Sequence, residues 1–218
     1  MQNTLKLALA AATISLASTA SAQTLLTSSF GGTQATSFIG SCVEGYCFGA
    51  GPVSVGYNGY AVTYTATSNG SLLSGPGGGY GLGSNGSWGN VAYAATNSTN
   101  TSIFLTFAAP VTSVGGIMNY APGYGTPILN AYDASNTLIA SFDLSVAGGG
   151  INTPGGSDAG MFRGVSYAGG ISMLELQGAY SLTQDLEAAT TVPEPSTIVL
   201  MGAGMLGLVA LRRRQRAK

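Results

Sequence analysis

The chain has no histidine, and between Gln23 and Val192 it has no lysine and a single base, Arg163. Seven carboxylates stand against that base: Glu44, Asp133, Asp143, Asp158, Glu175, Asp185 and Glu187. This central body therefore carries a net charge of −6, which the whole-chain value of −1 conceals because the remaining bases sit at the two ends. Without histidine, Ser-His-Asp, Cys-His and histidine-bound metal chemistry are excluded, and without a body lysine so is a Ser-Lys dyad. Nucleic acid is excluded as a partner, since it needs a basic patch to neutralise phosphates. Glycosidase chemistry survives, because it needs only two carboxylates about 5 to 9.5 Å apart. None of the seven stands in a motif that marks it, so the body is read as non-catalytic. Cysteine is nearly absent too: Cys42 and Cys47 are the only two. A thiolate pair alone cannot close a zinc site. In an exported chain the pair is expected to form a small disulfide loop, worth roughly 2 kcal/mol on the chain-entropy argument.

What is present is most legible at the ends. Met1 to Ala22 holds Lys6, an apolar stretch from Leu7 to Leu16 and the small residues Ala20-Ser21-Ala22 before Gln23. This is the layout of a signal peptide, with signal peptidase cutting between Ala22 and Gln23. At the other end, Val192-Pro193-Glu194-Pro195 is a stiff extended stalk, since each proline fixes its own φ and pushes its predecessor towards extended backbone. Thr197 to Leu211 follows without a charge. As a helix it spans ~22 Å, short of the ~30 Å hydrocarbon core. Arg212, Arg213, Arg214 and Arg216 close the run and are expected to hold it on the cytoplasmic side. This three-part tail resembles the bacterial PEP-CTERM sorting signal. The resemblance implies an exosortase-type membrane protease as partner, an inner-membrane intermediate, and delivery to the cell surface or extracellular matrix of a Gram-negative bacterium. The expected organisation is thus a signal peptide over 1–22, one domain over 23–190 and a sorting signal with a single transmembrane helix over 191–218.

Within the body, period-two alternation is interrupted by glycine. Tyr60, Val62, Tyr64 and Ala66 alternate with Ala61, Thr63, Thr65 and Thr67; Ile103, Leu105 and Phe107 repeat the pattern. The series Leu138, Ala140, Phe142, Leu144 and Val146 predicts one long strand, preceded by Ile128 to Asp133 and a tight turn through Asp133 and Asn136. Further strands are expected over Val53 to Tyr57, Val91 to Thr96, Val111 to Tyr120 with a break at Gly115-Gly116, Phe162 to Ser166, and Ile171 to Gln177. No amphipathic helix stands out. About nine or ten short strands with glycine-rich turns predict an all-β antiparallel sandwich or jelly roll. The stretches Asn69 to Asn90 and Gly148 to Gly160 are too rich in glycine for strands and read as long mobile loops.

Ile103 to Leu186 resembles the second half of the jelly-roll domain common in PEP-CTERM proteins, through Leu105-Thr106-Phe107-Ala108-Ala109-Pro110-Val111, Leu129-Asn130-Ala131-Tyr132-Asp133, Phe162-Arg163-Gly164-Val165 and Ile171-Ser172-Met173-Leu174-Glu175-Leu176. Thr183-Gln184-Asp185-Leu186 stands where the group has Ile-Asp-Asp/Asn-hydrophobic, so only Asp185 carries over. The resemblance implies glycan binding. Trp88 is expected to fill the core beneath its loop or, with Tyr80, to form a stacking platform for sugar rings. Asp133, Asp158, Asp185 and Glu187 are candidate ligands for a calcium ion, which favours oxygen donors. The function expected is polysaccharide binding at the cell surface, with a purely structural or self-associating matrix protein and a carboxylate glycosidase as alternatives.

Overall fold

The structure, a computed structural model, describes residues 22–34, 49–57, 60–68, 71, 80–89 and 93–190. The signal-peptide residues before Ala22, the Cys42 and Cys47 pair, and the whole tail from Val192 through Thr197, Leu211 and the arginines lie outside the described residues. Among the described residues no helix is long and apolar enough to cross a membrane.

Among the described residues there are twelve strands: β1 Thr24–Leu26, β2 Thr33–Gln34, β3 Val53–Tyr57, β4 Tyr60–Ala66, β5 Tyr80–Gly81, β6 Ser87–Trp88, β7 Ala94–Ala95, β8 Ser102–Asn119, β9 Ile128–Tyr132, β10 Leu138–Asp143, β11 Met161–Gln177 and β12 Leu182–Ala189. All named strand pairings are antiparallel. Ten strands form one sheet, and β5 with β6 makes a separate two-stranded hairpin.

The sheet has two halves joined by its two long strands. Over Ser102 to Phe107, β8 runs between β4 and the C-terminal part of β11, which in turn pairs with β9 and through it with β10. Over Val111 to Asn119, β8 runs between β12 and the N-terminal part of β11, and β1 adds to the far side of β11. The register of β8 on β11 shifts between these halves, around Ser166 to Met173. The inward positions shift with it. Ile103, Leu105 and Phe107 face the core in the first half, while Val114 and Met118 do so in the second. Both halves, together with Leu129, Leu174, Leu176, Val165 and Leu186, belong to one apolar cluster.

Several expectations are corrected. The predicted break at Gly115-Gly116 does not exist. These glycines sit inside β8 because neighbours crowd them: a Cβ on Gly115 would lie 2.6 Å from the Phe162 ring, and one on Gly116 would lie 2.5 Å from the Gln184 carbonyl. The Phe162 to Ser166 and Ile171 to Gln177 strands are likewise one strand, β11. The strand predicted to reach Val146 ends at Asp143, whose Oδ1 accepts from the Ser145 amide at 2.8 Å and turns the chain, leaving Val146 69% exposed. The turn between β9 and β10 forms as read: Asp133 Oδ1 accepts from Ser135 and Thr137 amides, and Asn136 adopts φ 58°. The glycine-rich stretches are not simply loops. Tyr80–Gly81 pairs with Ser87–Trp88, and the Gly156 carbonyl accepts from the Ser87 amide at 2.9 Å, so the two stretches are joined.

Arg163 shows how one such stretch is held. Its side chain is completely buried in β11. The guanidinium donates to the carbonyls of Phe162 at 2.8 Å, Gly148 at 3.2 Å and Gly150 at 2.6 Å. Gly148 and Gly150 have φ of 62° and 72°, backbone that glycine adopts without strain, and that conformation turns their carbonyls towards the cation. Burial lowers the pKa of Arg163 from its ordinary value.

Gly115→Ala is expected to lower unfolding free energy by about 1 to 3 kcal/mol, because the added methyl must displace an aromatic ring and strand backbone in a packed core. Gly81→Ala, with nothing within 4 Å of the new atom, is expected to stay within about 0.5 kcal/mol of the parent. Urea unfolding of the two variants checks the contrast, and equal losses would refute the packing account.

Candidate functional site

The half of the sheet containing β3, β4, β9 and β10 alternates cleanly. Its inner face supplies Val62, Tyr64, Leu105, Leu129 and Leu174 to the core. Its outer face is set by the opposite parity. The register aligns Thr65, Phe104, Glu175, Asn130 and Ser141 in one row from β4 to β10. A second row runs Ser54, Thr63, Thr106, Met173 and Tyr132 from β3 to β9. Each row crosses five strands, about 19 Å at ordinary strand spacing. Ser54, Thr106 and Ser141 are exposed, and Thr63, Thr65, Phe104, Met173 and Tyr132 are half-buried.

Glu175 is the centre of this face. It is 8% exposed, and both carboxylate oxygens are engaged. Oε1 accepts from Ser102 Oγ at 2.6 Å, and Oε2 accepts from Asn130 Nδ2 at 3.0 Å and Tyr132 Oη at 2.5 Å. Three donors from β8 and β9 thus compensate one buried charge on β11 and lock the orientation of a half-buried tyrosine. Burial, then the hydrogen bond to Glu175 and its charge, push the Tyr132 hydroxyl up to about 12. In the sequence Glu175 is one of seven unmarked carboxylates, within the strand expected over Ile171 to Gln177. The signal that could have found it is parity: Ser102, Asn130 and Glu175 all fall on the non-core side of three strands that pair.

The residues singled out from sequence are placed elsewhere. Trp88 is 1% exposed and Tyr80 6%, both in a second apolar cluster with Leu82, Tyr93, Ala95 and Leu182. The Trp88 ring meets Tyr93 edge-on at 6.4 Å, and the Tyr80 hydroxyl donates to the Thr96 carbonyl. Trp88 therefore fills the core beneath its loop, and neither ring offers an exposed face to a sugar. The four calcium candidates are not gathered: among the described residues no three of the metal-binding types His, Cys, Asp and Glu form a group. Three of them have local work instead. Asp133 caps its turn, and Asp158 accepts from the Gly89 amide at 2.5 Å. Asp185 is exposed at φ 46°, within an irregularity in the pairing of β12 with β8. Glu187, 4% exposed, accepts from Ser29 Oγ and the Phe30 amide, each at 2.9 Å, and so fastens the segment between β1 and β2 onto β12. Ala22 and Gln23 are exposed just ahead of β1, and the disulfide, sorting and membrane residues lie outside the described residues.

The last strand ends at Ala189, directly before the tail. Residues 191–214 match the PEP-CTERM protein-sorting motif. The chain is thereby marked as an exported protein that passes through the membrane towards the cell surface, with an exosortase-type protease as its processing partner. No curated protein and no solved structure matches it.

The raised pKa has a definite pH consequence. The native state favours protonated Tyr132, so its contribution to stability is complete below pH 10 and is lost as pH rises through about 12. In Glu175→Gln the Tyr132 ring, followed by NMR of tyrosine-labelled protein, is expected to titrate closer to its ordinary value of 10. A Tyr132 titration identical in parent and variant would contradict the contact.

Proposed function

We propose that this protein is a surface or matrix component of a Gram-negative bacterium, cut near Pro193-Glu194-Pro195, whose β-sheet body binds extracellular polysaccharide without turning it over. The supporting observation is the outer face of β3, β4, β8, β11, β9 and β10, where the Glu175 network lies beside half-buried Phe104, Met173 and Tyr132. Sugar rings pair apolar C–H faces with a rim of hydroxyls. Such a ligand fits a flat surface that alternates apolar rings with short hydroxyl side chains. With its O–H engaged in the hydrogen bond to Glu175, the Tyr132 phenolic oxygen keeps its lone pairs as acceptors for a sugar hydroxyl. The role of Glu175 is positioning: its oxygens are spent on Ser102, Asn130 and Tyr132. Asp143, farther along the same face, is spent on Ser145. Two halves closing on one core support a sandwich of the jelly-roll type for the body.

Processed protein recovered from the producing cells is expected to bind that cell's own extracellular polysaccharide saturably. Tyr132→Ala is expected to weaken binding at least about tenfold, the scale of losing one well-packed aromatic anchor. Trp88→Ala is instead expected to act through folding, losing about 3 to 5 kcal/mol of stability. Parent protein that stays unbound but self-associates would replace the binding reading with the structural one. For the sorting step, Glu194→Ala is expected to leave unprocessed precursor in the membrane fraction, seen as a slower-migrating band. Normal processing of that variant would remove the role assigned to the triplet.

A further inference from the structure

We infer that the polymer taken by this face is an uncharged, hydroxyl-rich polysaccharide and that acidic polysaccharides are rejected; the inference rests on the binding reading above. It follows from where the charges are. Arg163 is the one side-chain cation between Gln23 and Val192, and it is completely buried, with its donors turned to the carbonyls of Phe162, Gly148 and Gly150. Once the arginine-rich tail is removed, the mature body presents carboxylates to solvent and no side-chain cation. A uronate or sulfate ester held on a protein needs a guanidinium, an ammonium or a metal ion opposite it. Neither of the first two stands on this face, since the α-amino group exposed by cleavage before Gln23 adjoins β1 on the other half of the sheet, and the field of a body at −6 opposes the approach of any polyanion.

The face itself agrees with that exclusion. Its carboxylates are Glu175, set just beneath the surface, and Asp143 farther along it, so an acidic sugar placed over Tyr132 would lie against like charge. Its remaining polar groups are neutral: the hydroxyls of Ser54, Thr63, Thr65, Thr106, Ser141 and Tyr132, and the Asn130 amide. These exchange hydrogen bonds with sugar hydroxyls and carry no net charge to match. A cationic amino-polysaccharide would be drawn to the body as a whole, but by a diffuse field that salt screens and that does not depend on one tyrosine. A neutral polymer is the ligand for which binding is both site-specific and indifferent to salt.

The test applies processed protein to three immobilised polymers, a neutral glucan, a polyuronate and a polyglucosamine, between about 0.02 and 0.5 M salt, across which the Debye length falls several-fold. Retention on the glucan is expected to change less than twofold with salt and to fall at least tenfold in Tyr132→Ala. The exposed Thr106→Arg variant, which places a cation on the face, is expected to gain polyuronate binding that salt abolishes. Parent protein held by the polyuronate as well as by the glucan would overturn the charge inference and leave the binding reading intact. Retention on polyglucosamine alone, salt-sensitive and unchanged in Tyr132→Ala, would overturn it as well. Retention on none of the three or on the cell's own polysaccharide would overturn the binding reading, and this inference with it.

Discussion

Two strands of 18 and 17 residues, β8 and β11, pair with each other on both sides of a shared register shift, and every other strand of the main sheet is laid against one of them directly or through one intermediary. That pairing carries a large ordering cost, because its partners lie 43 (Met118 and Met161) to 75 (Ser102 and Gln177) residues apart along the chain and closing such a loop is entropically costly. Hydrogen bonding alone would not select the register. Burial does: slipping β8 by one residue would turn Ile103, Leu105 and Phe107 out of the core and Phe104 and Thr106 into it. The irregularity between the halves lets one strand keep its apolar residues inward on both sides of a bend, with Val114 and Met118 continuing what Leu105 began.

The same constraint explains the glycines. Where β8, β11 and β12 are crossed by the segment from β1 to β2, Gly115 and Gly164 are paired with each other, and Gly115 is also paired with Glu187. The missing side chain of Gly115 leaves room for the Phe162 ring, which meets Phe30 edge-on at 6.2 Å, and that of Gly164 leaves room for the Val114 carbonyl of β8. Glu187 then fixes that crossing segment through two hydrogen bonds. Read as sequence, a Gly-Gly pair within an apolar run suggests a break, since glycine weakens strands. Here close approach of other chain segments is the dominant requirement, and only knowledge of the partners would have shown it.

Much of the architecture was nonetheless legible, because alternation reports burial of one sheet face directly. The strands over Val53–Tyr57 and Tyr60–Ala66 and the β9–β10 hairpin were readable from side-chain period and turn chemistry alone. The candidate site was not. Glu175 lies between Leu174 and Leu176, and nothing local distinguishes it from a solvated strand position; its meaning comes from Ser102, 73 residues away, and Asn130, 45 away. Trp88 drew attention as the lone tryptophan in a glycine-rich stretch, yet that stretch contains a hairpin whose aromatic residues cover Leu182 and Ile117 on a second small core. Composition describes a segment's freedom in isolation, and tertiary docking removes that freedom.

The division of the sheet also separates the two tasks. β12, which leads into the sorting motif, pairs with β2, β7 and the C-terminal half of β8, whereas the polar face with Glu175 belongs to the N-terminal half of β8 and to β4, β9 and β10. The final strand is secured independently, by Glu187 to Ser29 and Phe30 and by Thr112 Oγ1 to the Ala189 carbonyl at 3.2 Å. Removal of the tail beyond residue 191 thus takes away none of the twelve strands of the described residues and no residue of the face. The arginines that go with it are expected on the cytoplasmic side of the membrane, so the charge of the body is set by its own residues, with Arg163 buried, before the cut as well as after it. Processing can then change where the protein is without changing the fold or the charge of the face.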